Sequence, residues 1–130
     1  MEEKKILIIE DQRESIESAF AFANAIGFQD RLDFTYVPRS QDIDFENLSN
    51  TYDLIFVDIT LAERSQMNGF GIIRHILEHD HFPQERIVIL TGNSKIAEGL
   101  RQNGIPENIE TVYKPVTFRQ LIPIIQRLLS

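Results

Sequence analysis

Three carboxylates stand directly behind two short apolar runs: Glu10 and Asp11 follow ILII at 6–9, and Asp58 follows LIFV at 54–57. Two further runs end in complementary groups, Thr91 after IVIL at 87–90 and Lys114 after TVY at 111–113. As neighbouring strands, these runs would bring three acids, a hydroxyl and an ammonium to one rim. Carboxylates a few ångströms apart resist joint ionisation unless a hard divalent cation supplies the counter-charge. Mg²⁺ suits such a rim, because it takes few carboxylate oxygens and completes its shell with water and phosphate oxygens. A free carboxylate beside that ion is a nucleophile for phosphoryl transfer, with a lysine to neutralise the transferred group and a hydroxyl to donate to it. Any one of these acids could equally cap the helix that follows its strand. Their joint placement is what points to chemistry.

The elements that must position them follow from periodicity. The runs at 6–9, 54–57 and 87–90 lack polar alternation, the pattern of strands covered on both faces in a parallel sheet. FTYV at 34–37 is a weaker strand and brings the expected count, with TVY, to five. Ile16, Ala19, Phe20, Ala23 and Ile26 form a helical stripe, with Gly27 expected to end it in a left-handed conformation. Ile72, Ile73, Ile76 and Leu77 mark a second helix after an Asn68-Gly69 turn, and 96–103 a shorter one before Gly104. The last helix opens with Thr117 and Gln120 in capping-box spacing and turns Leu121, Ile124, Ile125 and Leu128 inward. Pro123 within it predicts a bend near Arg119. Only Ile43, Phe45 and Leu48 suggest structure between 38 and 52, a short helix or an irregular crossover. Alternating strands and helices with right-handed crossovers give a doubly wound, flavodoxin-like α/β sheet of order 2-1-3-4-5 with helices on both faces. Ligands of such sheets bind beyond the strands' carboxyl ends where the winding reverses, between strands one and three. Glu10, Asp11 and Asp58 fall there.

A chain of 130 residues fits a single domain, 1–130, with no room for an effector domain. A formal net charge of −7 argues against nucleic acid, whose phosphates are bound by Lys and Arg. The absence of cysteine excludes disulfides, thiolate metal sites and thiol nucleophiles, and a reducing cytoplasm is the expected compartment. MEEKK leads into only four apolar residues, too few for a signal peptide or a membrane span. His75 and His79 are a helical turn apart and His81 follows, a zinc-like spacing. With no cysteine or ordered acid to complete a tetrahedral set, solvated surface is the expected role. The nine Phe residues are core material by default.

IIED at 8–11, LIFVD at 54–58, ILTG at 89–92 and YKP at 113–115 together resemble the receiver domain of two-component response regulators, over nearly the whole chain. The resemblance implies a phosphorelay switch, limited as a catalyst to its own phosphorylation and autodephosphorylation. Asp58 would take a phosphoryl group from a histidine kinase or phosphotransfer protein. Glu10 and Asp11 would hold Mg²⁺ directly or through water, with Asp58 and the backbone carbonyl of Thr60 as further ligands. Thr91 would bond the phosphoryl oxygen as the switch closes, Lys114 would pair with the phosphate, and a cis bond before Pro115 would aim that lysine. The output protein is not encoded, and a phosphorylation-dependent dimer is one output that such a switch allows. This chain departs from the family in the long loop ITLAERSQMNGF at 59–70, in Ala62 where a proline is typical, and in Thr111 where a switch aromatic usually stands, with Tyr113 beside the lysine instead. A haloacid-dehalogenase-like phosphatase would need a second Asp two residues after the nucleophile, where Thr60 stands. A receiver-like module that binds without phosphate would have no need to keep carboxylates crowded together.

Overall fold

Every residue of the runs at 6–9, 54–57 and 87–90 is buried, as solid apolar strands between two helical layers must be. The computed structural model describes residues 2–61 and 64–130. Its strands are β1 (Lys4–Ile9), β2 (Leu32–Val37), β3 (Leu54–Asp58), β4 (Ile87–Thr91) and β5 (Glu110–Tyr113). They pair in parallel in the order β2-β1-β3-β4-β5, the doubly wound arrangement expected from the sequence. The weaker sequence patterns belong to the two edges, β2 and β5, where only Leu32 and Val112 are fully covered.

Successive strand residues point to opposite faces. Leu7, Ile9, Ile55, Val57, Ile87 and Ile89 therefore enter one core, and Ile6, Ile8, Leu54, Phe56, Val88 and Leu90 the other. The first is covered by α2 (Leu48–Thr51), α3 (Gly69–Glu78) and α4 (Ile96–Gln102), the second by α1 (Glu17–Gly27) and α5 (Phe118–Leu129). Each fully buried Ile or Leu contributes about 1.5–3 kcal/mol. Phe20 of α1 also meets Phe34 and Phe56 edge-on at centroid distances of 5.5 and 4.9 Å.

Gly27 does not end α1 in a left-handed conformation. It is the last helical residue, and the positive φ values fall at Gln29 (55°) and Asp30 (60°). The turn is held instead by Asn24, whose side-chain amide bonds both the N–H and the carbonyl of Leu32 at 3.0 Å. Gly27 serves a close approach: a Cβ there would lie 3.1 Å from Ile122 of α5. Ile26 and Phe22 lie outside the core, 62% and 56% exposed. Pro123 sits on the exposed side of α5, which runs unbroken past it from the expected Thr117–Gln120 capping box. The crossover at 38–52 is irregular, with 3₁₀ turns at Ser40–Asp42 and Phe45–Asn47 before the single turn of α2. Ile43 and Leu48 are its buried anchors, too few to seat a longer helix. Among the described residues, no helix is long and apolar enough to cross a membrane.

Candidate functional site

The ends of β1 and β3 are adjacent in the sheet, so the acids that follow them meet. Glu10 and Asp58 are each 2% exposed and Asp11 is half-buried. One carboxylate oxygen from each lies within 4.8 Å of the others. Lys114 follows β5, where its N–H donates to the Thr91 carbonyl at 2.8 Å, and its peptide bond to Pro115 is cis. Its ammonium crosses the end of β4 to reach Glu10 Oε1 at 2.8 Å and Asp58 Oδ2 at 3.4 Å. The other oxygen of Asp58, Oδ1, accepts from the Thr60 N–H at 3.0 Å. Thr91 is buried, and its Oγ1 accepts from the Asn93 N–H at 3.0 Å, so the hydroxyl anchors its own loop. The structure thus gathers Glu10, Asp11, Asp58, Thr60, Thr91 and Lys114 at the carboxyl edge of the sheet.

One ammonium faces three carboxylates here, and the imbalance shows in Glu10. Its Oε2 is buried without a hydrogen-bond partner, which costs about 1–3 kcal/mol and more for a charged group. Burial foremost, then the closeness of the Asp58 carboxylate, push its carboxyl up to about 8 against the pull of Lys114. For Lys114, burial acts to lower the pKa, but pairing with Glu10 and the charges of Asp58 and Glu10 outweigh it and raise the value. A cluster of hard oxygen donors with excess negative charge and an orphaned buried oxygen is the donor set that fits Mg²⁺.

The Glu10 shift has a measurable consequence in the absence of metal. Its folded value lies above its ordinary value of 4.5, so between 4.5 and about 8 the folded state holds a proton that the unfolded chain has released. Stability therefore falls as pH rises through that window, by at most about 1.4 kcal/mol per pH unit from this group. Denaturant unfolding in chelator across the window should show this fall, and Glu10→Gln should flatten it. A variant with an unchanged slope would remove Glu10 as its source.

Several contributors to the site carried little sequence signal. Asn68-Gly69 is the start of α3 rather than a free turn: the Asn68 side chain accepts from the Gly71 N–H at 2.9 Å. Gly69 lies so close to the end of β3 that a Cβ would stand 2.3 Å from the Asp58 carbonyl oxygen. The described part of the long loop is pinned to the crossover after β2. Ser40 N–H donates to Ser65 Oγ, Ser40 Oγ accepts from the Met67 N–H, each at 2.9 Å, and Gln41 bonds the Arg64 carbonyl and the Gln66 N–H at 2.7 and 3.0 Å. Isolated polar residues on two distant loops give no pattern by which to pair them. Ala62 lies outside the described residues. Thr111 spends its hydroxyl on the Ile109 carbonyl at 3.2 Å, and Tyr113 is 42% exposed.

Solved receiver domains share this architecture. The receiver domain of the Francisella response regulator 1452 matches with a TM-score of 0.67 at 17% identity, over 97% of this chain and 96% of that one. A two-component response regulator from Clostridium difficile matches at 0.71 and 19%, over 98% and 96% of the two chains. The receiver domain of a Pseudomonas aeruginosa sensor histidine kinase, solved with a magnesium ion coordinated in its active site cleft, matches at 0.73 and 22%, over 98% of each. No protein-family model and no curated protein matches the sequence. The chain has the receiver-domain fold.

Proposed function

We propose that this chain is a single receiver unit that accepts a phosphoryl group on Asp58, in the presence of Mg²⁺, from a histidine kinase or phosphotransfer protein, and passes the change to a protein partner. The observation that carries this reading is the buried Asp58 carboxylate, set 3.4 Å from the Lys114 ammonium and within 4.8 Å of oxygens of Glu10 and Asp11. Glu10, Asp11, Asp58 and the Thr60 carbonyl are the groups that would hold the ion. When bound, it offsets the charge of the crowded acids and of the incoming phosphoryl oxygens. A carboxylate oxygen of Asp58 forms the bond to phosphorus as the donor's phosphorus–nitrogen bond breaks, and its electron pair leaves with the imidazole. The Thr60 N–H holds Oδ1 and fixes the carboxylate plane. Lys114, already beside Oδ2, pairs with the transferred group. Thr60 also leaves the place of a general acid empty of one, consistent with a held phosphoryl group rather than rapid turnover. The acidic chain suits a protein partner in the cytoplasm rather than nucleic acid or a membrane. Acetyl phosphate with and without Mg²⁺, read by intact mass, tests the proposal: one phosphoryl mass should appear only with the ion. No gain under either condition would refute it.

The signal should leave through the loop after β4. Thr91 Oγ1 accepts from the Asn93 N–H and keeps its own proton to donate to a phosphoryl oxygen, so a move toward the phosphate pulls on that bond; Asn93 Oδ1 in turn accepts from the Lys95 N–H at 2.9 Å, immediately before α4. Thr111 is a passive strand residue, since its hydroxyl is engaged within its own segment and its side chain has few rotamers. With beryllofluoride and Mg²⁺ as the phosphoryl mimic, Thr91→Ala should remove most amide shift changes in α4, and Thr111→Ala should keep them. The reverse pattern would exclude this route.

A further inference from the structure

The carboxyl-terminal end of α3 brings three imidazoles together. His75 and His79 are one helical turn apart and so share a face. His81 lies beyond the helix, yet the chain folds it back: Asp80 takes a left-handed conformation (φ 55°), its N–H donates to the Leu77 carbonyl at 3.3 Å, and the His81 N–H reaches the Ile76 carbonyl at 2.9 Å. These are the two bonds of a Schellman closure. Ser49 of α2 donates to the His81 carbonyl at 2.6 Å and ties the turn down from outside. Phe45 packs its ring against His75 at 4.5 Å and His81 at 5.9 Å, closing the apolar side. The result is one ring nitrogen from each of His75, His79 and His81 within 4.8 Å of the others.

We propose that His75, His79 and His81 form a binding site for a divalent cation of the zinc class, with three imidazole ligands and a fourth position open to water or a partner's side chain. Three nitrogens around tetrahedral zinc stand about 3.3 Å apart, so no gap here needs to close by more than about 1.5 Å, which rotation of the exposed His79 and half-buried His75 and His81 rings supplies. An independent feature supports the assignment. His79 Nδ1 lies 3.0 Å from the His75 carbonyl oxygen. With the proton on Nδ1, that bond fixes the ring and leaves Nε2 as a free lone pair, the orientation in which histidines usually ligate metals. Burial foremost, then the neighbouring His79 and His81, lower the pKa of His75 and favour its neutral, ligating form. The site is chemically distinct from the acidic rim, which offers hard oxygen to Mg²⁺, whereas imidazole selects zinc and its neighbours.

The test is titration of the untagged chain with Zn²⁺ in excess Mg²⁺, followed by calorimetry and by nitrogen shifts of the histidine rings. One Zn²⁺ should bind per chain, all three ring signals should move, and His79→Gln should weaken binding by more than about tenfold. His79 is exposed, so that variant should keep its helical circular dichroism. Asp11→Asn, which weakens the acidic rim, should leave Zn²⁺ affinity unchanged. Unchanged affinity in His79→Gln, or loss of Zn²⁺ binding in Asp11→Asn without movement of the ring signals, would overturn the proposal.

Discussion

Asp58→Asn should abolish phosphoryl acceptance while leaving the protein folded and at least as stable as wild type. Asn keeps the shape of the side chain and can still accept from the Thr60 N–H on its carbonyl oxygen, the bond that Asp58 Oδ1 makes at 3.0 Å. It lacks the anionic oxygen that attacks phosphorus. The substitution also removes one of three mutually repelling carboxylates, and Glu10, whose pKa is raised partly by Asp58, keeps its 2.8 Å pairing with Lys114. Loss of function is therefore separable from loss of fold. Intact mass after acetyl phosphate and Mg²⁺ should show one added phosphoryl group on wild type and none on the variant, with a melting temperature equal or higher. Equal labelling of both proteins would place the acceptor elsewhere.

Gly69→Ala should be the most damaging of the small substitutions, at about 2–3 kcal/mol. A methyl group at Gly69 would stand 2.3 Å from the Asp58 carbonyl oxygen and 2.5 Å from the Ile59 Cα. Both are backbone atoms, so nothing can rotate out of the way. Alanine's better helix propensity, about 1 kcal/mol in a helix interior, is too small to offset such a clash. Either α3 shifts along its axis or the end of β3 gives way, and the second outcome moves the acceptor itself. Gly92 is the control, because a Cβ there meets nothing within 4 Å. Urea unfolding should give a large loss for Gly69→Ala and little for Gly92→Ala, with slower labelling of Asp58 in the former. Wild-type stability in Gly69→Ala would mean that α3 does not press on the acceptor strand.

The same contact shows why some of this protein is legible in its sequence and some is not. β1, β3 and β4 announce themselves because both their faces are covered, which leaves no polar position to blur the run. Strand order then brings Glu10, Asp11, Asp58, Thr91 and Lys114 to one edge, so the residues of the candidate site follow from topology. Contacts that depend on backbone conformation do not. Asn68-Gly69 reads as a turn and is a helix start, Gly27 reads as a helix stop and is a packing surface, and Asp80 adopts the left-handed role that composition would assign to a glycine. His81 joins His75 and His79 only through that last conformation, which spacing along the chain does not reveal.

The parallel sheet leaves two strands with one unpaired side each, and β5 illustrates how a fold of this kind resists growing into larger sheets. It has four residues, set between Pro106 and Pro115, neither of which has an N–H to offer a neighbouring strand. Glu110 at its start carries a carboxylate paired with Arg127 at 2.8 Å, so an approaching strand would meet charge as well as a short run of backbone groups. Short edges bearing charge and bounded by proline are poor templates for aggregation. Sheet extension at the β5 edge is thereby disfavoured, and association on that side is left to side chains and helix surfaces.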